Sequence, residues 1–404
     1  MRYPDHPEPS AAPSPLLIPF DQRGQTRLIF GVREIERIGT LVRELPAQRV
    51  LLVTDPGIVK AGHARRVQNL LEASQVEVIL FDRVHENPTT ADVQRAVEVA
   101  RSANIDAIIG LGGGSSMDTA KGCNFVLTNG GRMLDYWGVN KAQLPMLPMI
   151  AIPTTAGTGS ECQSYALIAD EVTHQKMACG DPKAAARIAL LDPELTLSMP
   201  RRVTACTGVD ALAHALETSV TTKKNPLSWM YSREAFALCF KHLATTLREP
   251  TNVAARGQVM LGAALAGMAI ETSMLGAAHS AANPLTAHFG IIHGEAVALM
   301  LPAVLRFNAQ DAASAHAYAE LAVAAGISRN HTSDANAVVA LIRSLSHTIH
   351  DAGFPPSLAA AGVPLQALPT LAEEAAQQWT AKFNPRPVQK EDFQALYEEA
   401  WKGS

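Results

Sequence analysis

The chain is poor in the features that mark several specialised protein classes. Its five cysteines, Cys123, Cys162, Cys179, Cys206 and Cys239, are scattered and form no CxxC pair. An odd, dispersed set reads as free thiols in a reducing compartment, so a cytoplasmic protein is expected rather than a disulfide scaffold. Positive charge is not in excess. With a net charge of -4 the chain has no basic footprint for nucleic acid. No uninterrupted apolar run reaches the roughly 18 residues that cross a bilayer, and no membrane association is expected. Met1–Ser14 is rich in Pro and Ser and lacks a hydrophobic signal core. It is expected to be a disordered tail, with the ordered chain starting near residue 26. The GxGxxG fingerprint of ordinary dinucleotide folds is missing too, and no internal repeat is visible.

What is present points to two packed units. At 404 residues, 47% apolar and 18% charged, the chain is too long for one ordinary core. Its first half alternates apolar runs with helical stretches. Arg49–Asp55, Val76–Asp82, Ile105–Leu111, Met149–Ile152 and Ile188–Leu191 read as strands, and Thr89–Asn104 carries helical spacing. Near-continuous apolar strands separated by helices predict a parallel sheet covered on both faces. The character changes at Met199-Pro200, beyond which no convincing strand is found. Helical spacing recurs over Val203–Val220, Trp229–Leu247, Ala254–Met268, Ala296–Phe307 and Ala335–Ile349, with Pro250, Pro284, Pro302, Pro355 and Pro356 read as breaks. The expectation is an α/β domain with a Rossmann-like parallel sheet over residues 26–199. An all-α domain is expected over residues 200–404, with a reaction cleft between the two.

Two glycine-rich loops and four scattered side chains carry the chemistry. Gly110-Leu-Gly-Gly-Gly-Ser-Ser-Met-Asp118 follows the third strand and opens a helix. Such a run is either a tight turn or a cradle in which backbone N–H groups and a helix N-terminus hold phosphate, and its place after the strand favours the cradle. Pro153-Thr-Thr-Ala-Gly-Thr-Gly-Ser-Glu161 repeats the pattern after a later strand, as a Ser/Thr-rich turn or as a ribose and phosphate contact. Asp55, closing the first strand, is either a turn residue or an acceptor for a ribose 2′-hydroxyl. The second role would favour NAD over NADP. Asp210 and His214, in Gly208-Val-Asp-Ala-Leu-Ala-His-Ala-Leu-Glu217, are one helical turn apart and share a face. With His279 and His293 they make an N/O set suited to a divalent transition metal with one position left open. A lone histidine among the chain's 13 is more often a core residue. The combined pattern is the stronger signal.

These motifs, with Asn384-Pro-Arg-Pro387 near the end, make the chain resemble the iron-containing (group III) alcohol dehydrogenase family from about Thr26 onward. The resemblance implies a metal- and NAD(P)-dependent interconversion of alcohols with aldehydes or ketones, usually by a homodimer. It implies that Asp210, His214, His279 and His293 bind the metal, Fe2+ or Zn2+. It further implies that Gly112, Gly113, Gly114, Ser115 and Asp118 hold the pyrophosphate. Asp55, Asn87, Thr154, Thr155, Thr158, Lys176 and Thr196 would line the rest of the cofactor site. One position departs from the pattern: Asn283 stands where the family often has a histidine four residues after the third ligand, and Asn cannot relay a proton. His288 is the candidate substitute. Trp137, Leu275 and Phe383 are candidate pocket walls. Related activities within reach of the same motifs are an oxoacid reductase resembling maleylacetate reductase, a transhydrogenase, or a lyase resembling dehydroquinate synthase. The carboxylate and apolar groups of Ile270-Glu-Thr-Ser-Met-Leu275 lean toward a neutral substrate.

Overall fold

The computed structural model describes residue 24, residues 26–173 and residues 175–403. The expected N-terminal tail therefore lies outside the described residues, apart from Gly24. Six strands form an all-parallel sheet in the order β1-β9-β6-β4-β2-β3. They are β1 (Arg27–Phe30), β2 (Arg49–Val53), β3 (Glu77–Phe81), β4 (Ala107–Gly112), β6 (Met149–Pro153) and β9 (Ile188–Leu191). All five anticipated strands are in it. Apart from Arg49 at the start of β2, strands β2, β4, β6 and β9 are apolar runs with almost every position buried, as a sheet with two covered faces requires. Helices α1 (Ile38–Glu44), α2 (Pro56–Lys60) and α3 (His63–Ala73) belong to one side. α4 (Thr90–Ala103) and α5 (Gly114–Asn129) cover the other.

A second sheet was not anticipated. β5 (Gly138–Val139), β7 (Tyr165–Ala169) and β8 (Lys176–Gly180) pair in the order β5-β8-β7, with β7 and β8 antiparallel. It shares a core with α4 and α5 and carries Lys176 to the cleft.

No strand follows β9 among the described residues. The second half consists of α6 (Arg201–Thr218), α7 (Pro226–Arg248), α8 (Val253–Thr272), α9 (Ala277–Phe289), α10 (His293–Asn308), α11 (Ala312–Ala324), α12 (Asp334–Asp351), α13 (Leu368–Gln377) and α14 (Lys390–Lys402). Two proline breaks are overturned, because Pro284 lies inside α9 and Pro302 inside α10. Each proline removes one helical hydrogen bond. Both helices are nonetheless buried along most of their length, and that packing outweighs a local cost of about 3 kcal/mol. The membrane expectation meets one qualification: α8 is long and apolar enough, by length and composition, to span a bilayer. It is instead mostly buried against α6 and α7, as a core helix.

Candidate functional site

The site is built where the carboxyl ends of the parallel strands meet the helical half. β4 ends at Gly112, whose φ of 147° is open to glycine but not to a side chain. A Cβ there would fall 2.4 Å from Ser116 Oγ. The chain then enters α5 with Gly113 at its N-cap and no side-chain cap, leaving backbone N–H groups free for an anion. The second loop lies directly opposite. Thr154 N donates to Gly112 O (2.9 Å), and a Cβ on Gly114 would be 3.0 Å from Thr158 Cγ2. Between the loops and the helices α6, α9 and α10 runs a cleft with a cavity of about 300 Å3.

A buried ammonium ties the two loops together. Lys121 Nζ donates to Ser160 O (2.6 Å), Ser160 Oγ (2.9 Å) and Tyr165 O (3.0 Å), using all three of its donors. Ser160 Oγ in turn donates to Asp118 Oδ1 (3.1 Å). Burial lowers the Lys121 pKa, opposed by the carboxylates of Asp118, Glu271 and Glu161. Burial likewise raises Glu161 to about 7.

At the far end of the cleft Asp210 Oδ1 is ringed by imidazoles. His279 Nε2 is 3.3 Å away, His214 Nε2 3.5 Å and His293 Nε2 4.0 Å. The His214 and His279 rings stack at 4.8 Å between centroids. Asp210 Oδ1 and His279 Nε2 are buried without a hydrogen-bond partner, an arrangement that costs free energy unless something occupies the centre. The ligating atoms of Asp210, His279 and His293 lie within 4.8 Å of one another. Three imidazoles and a carboxylate fit a divalent transition metal. Burial would push Asp210 up, but the neighbouring histidines pull it well below the usual carboxylate range. Enclosure lowers His293 to about 3, leaving a neutral ring that can ligate. Burial also lowers His279, yet the Glu217 and Asp210 carboxylates outweigh it and raise this ring to about 9.

Most of the anticipated cofactor residues converge. Asn87, Gly113, Gly114, Ser115, Asp118, Thr155, Thr158 and Lys176 line the same cavity as the four metal candidates. Asp55 lies beside it. Its Oδ1 caps α2 by accepting from Gly57 N (2.8 Å) and Ile58 N (3.1 Å), and its Oδ2 is 3.4 Å from Ser116 Oγ.

Gly112, Thr154, Thr196 and His288 do not join this group. Thr154 and Thr196 are buried off the cavity, with Thr196 Oγ1 donating to Pro193 O (2.7 Å). His288 is exposed and meets Glu374 at 2.8 Å. It lies nine residues after His279, about two and a half helical turns, so it leaves the opposite face of α9 and is not placed to relay a proton. Asn283, on the near face, donates through Nδ2 to Gln378 Oε1 (3.0 Å). Of the candidate walls, Leu275 lines the cavity and Trp137 does not. Phe383 sits one layer back, edge-on to Trp379, which stacks on the cavity residue Tyr165. The Glu271 carboxylate accepts from Ser164 N (2.9 Å) and is committed to structure.

Sequence reasoning also missed Glu217, which receives a short hydrogen bond from His279 Nδ1–H and another from Ala278 N (2.7 Å). The signal was available, since positions 210, 214 and 217 of α6 share one face.

Comparison with known proteins shows which family shares this fold. The family described as iron-containing alcohol dehydrogenase matches residues 25–193, and its C-terminal counterpart, described as Fe-containing alcohol dehydrogenase family, C-terminal, matches residues 204–401. The chain belongs to the iron-containing alcohol dehydrogenase family. Alcohol dehydrogenase 4 of Schizosaccharomyces pombe is 35% identical over 353 residues, covering 87% of this chain and 82% of its own. The NAD-dependent methanol dehydrogenase of Bacillus methanolicus is 31% identical, with 92% and 97% covered. Among solved structures, an alcohol dehydrogenase from Oenococcus oeni superposes with a TM-score of 0.89 at 30% identity, with 93% of this chain and 98% of that one covered. A crystal structure of 1,3-propanediol oxidoreductase gives a TM-score of 0.90 at 30% identity, with 93% and 97% covered.

Proposed function

We propose that this member of the family interconverts a small neutral alcohol with its aldehyde or ketone, using NAD(H). In this reading Asp210, His214, His279 and His293 hold one Fe2+ or Zn2+ ion, and the glycine loop holds the cofactor pyrophosphate. The division between the halves falls near residue 199, the dispersed free cysteines suit the cytoplasm, and the enzyme works as a homodimer, as the family resemblance implies. The observation that carries the reading is the orphaned Asp210 carboxylate with three imidazoles around it, at one end of the cleft whose other end is the α5 N-terminus.

When bound, the metal supplies Lewis-acid polarisation of the substrate oxygen and NAD supplies the hydride acceptor. The chain supplies position. Lys121 and Ser160 fix Asp118 and the second loop against the glycine loop, while Ile270 and Leu275 offer the substrate an apolar wall. Neutral Gln163 and Tyr165 complete that region, which favours an uncharged substrate over an oxoacid. Asn283 holds no exchangeable proton near neutral pH, so the hydroxyl proton leaves through water or the ribose hydroxyls.

A panel of alcohols and aldehydes assayed for absorbance change with NAD(H) and NADP(H), with Fe2+ or Zn2+ added, tests the reading. Turnover of small alcohols with net NADH formation supports it. Turnover only of oxoacids, or a reaction with no net NADH change, refutes it.

Two further outcomes are expected. Asp55→Ser keeps an α2 cap and removes the charge that would repel a 2′-phosphate. The KM for NADP should therefore fall about tenfold, the worth of roughly 1.4 kcal/mol, while the KM for NAD rises. Metal uptake by stripped protein should strengthen with pH. The His279 pKa near 9 means that a proton must leave below that pH, so apparent affinity rises about tenfold per unit between pH 7 and 9. A flat profile in a chelator-buffered titration would contradict the assignment.

A further inference from the structure

We infer that Glu217 is a positioning residue for the metal, fixing the tautomer and the angle of the His279 ring. The inference rests on the metal reading given above. Glu217 is buried, with a side chain only 3% exposed, and lies on α6 one turn beyond His214. A buried carboxylate needs a reason to be there, because removing its charge from water costs several kcal/mol unless hydrogen bonds replace the solvent.

Two donors from α9 meet that need. Ala278 N donates to Oε1 at 2.7 Å, and His279 Nδ1–H donates to Oε2. With the Nδ1 proton held on Glu217, Nε2 is the nitrogen of His279 directed at Asp210 Oδ1, 3.3 Å away, and it is the one freed to ligate when the ring gives up its second proton. An imidazole that donates one N–H to a carboxylate is fixed in orientation and is a more basic ligand through its other nitrogen.

The seat of α9 is built around the same carboxylate. A Cβ on Gly276 would come within 3.3 Å of Glu217 Oε1 and 3.0 Å of Asn384 Oδ1. Asn384 Oδ1 also accepts from Ala277 N (3.3 Å), so Asn384 and Glu217 hold consecutive N–H groups at the start of the helix. Glu217 therefore sets both where α9 begins and which nitrogen of His279 points at the metal position.

The donor count makes glutamine a sharp probe. Both neighbours of Glu217 donate, and glutamine offers one oxygen. In Glu217→Gln the NH2 group must face either Ala278 N–H or His279 Nδ1–H. The second clash is relieved only if the ring moves its proton to Nε2, where it blocks ligation.

The test is a chelator-buffered Zn2+ titration of metal-stripped wild type and Glu217→Gln, with NAD binding followed in parallel by fluorescence. We expect Zn2+ affinity to fall by about 10–100-fold, with NAD binding within about twofold of wild type. Zn2+ affinity within about threefold of wild type would overturn the inference, and so would an equal loss of NAD binding, which would mark Glu217 as a folding residue only. If Glu217→Gln does not fold, nitrogen-15 spectra of histidine-labelled, Zn2+-loaded wild type decide. A His279 ring with Nδ1–H present and Nε2 on the metal supports the inference, and ligation through Nδ1 overturns it. Wild type that takes up no Zn2+ would instead sink the metal reading itself.

Discussion

His279→Ala should leave a folded protein that binds NAD yet retains almost no metal and turns over at least about a thousandfold more slowly. That loss corresponds to roughly 4 kcal/mol at 1.36 kcal/mol per factor of ten, a modest value for Lewis-acid stabilisation of developing charge. His279 is central to the cluster. Its ring stacks on His214, its Nε2 faces Asp210 Oδ1 and its Nδ1 serves Glu217. Alanine leaves the Glu217 oxygen without its donor, a cost of about 1–3 kcal/mol for a buried group, so the melting temperature should drop as well. Metal content by elemental analysis, NAD affinity by fluorescence and NADH formation separate the three effects. Wild-type turnover in metal-free His279→Ala protein would refute the scheme.

A second large effect is expected at a residue that is not itself a candidate ligand. Gly159 in the second loop has a left-handed φ of 61°, and it lies against Gly267 in the middle of α8. A Cβ on Gly267 would sit 2.3 Å from Gly159 O and 2.8 Å from Gly159 Cα. Both obstacles are backbone, and no side-chain rotation relieves them. Gly267→Ala must push the loop away from α8, which by the usual cost of overpacking destabilises the fold by about 3 kcal/mol. The displaced loop carries Thr158 and Ser160, so NAD affinity should weaken too. Urea unfolding of the variant measures the first effect. A change below about 0.5 kcal/mol would show that the loop does not need this contact.

The legible parts of the molecule share a cause. β2, β4, β6 and β9 could be read because a parallel sheet buried on both faces forces continuous apolar runs, which few other structures require; the edge strand β3 is less buried but keeps an apolar run over residues 78–81. β7 and β8 escaped because they form a small mixed sheet outside the parallel series and hold residues such as Tyr165, Lys176 and Gly180 that break an apolar run. α9 was hidden by Pro284, since the packing that carries a helix across a proline is a tertiary effect with no local signature. Within the site, Asp210 and His214 were legible through their spacing on one helix. His279 and His293 were legible only through the combined pattern. The orientation of His288 follows from its phase on α9, but that phase has meaning only once the stretch is known to be helical. Glu217 was overlooked because a carboxylate on an otherwise apolar helix face declares its purpose only when the donors of another helix are placed against it.

The measurement closest to the central claim is anomalous diffraction from crystals of active enzyme grown with Fe2+ or Zn2+. One strong peak is expected, bounded by Asp210 Oδ1 and the ring nitrogens of His214, His279 and His293, at the cleft end opposite the glycine loop. An active crystal with no peak among those four side chains, or with its metal elsewhere, would contradict that claim.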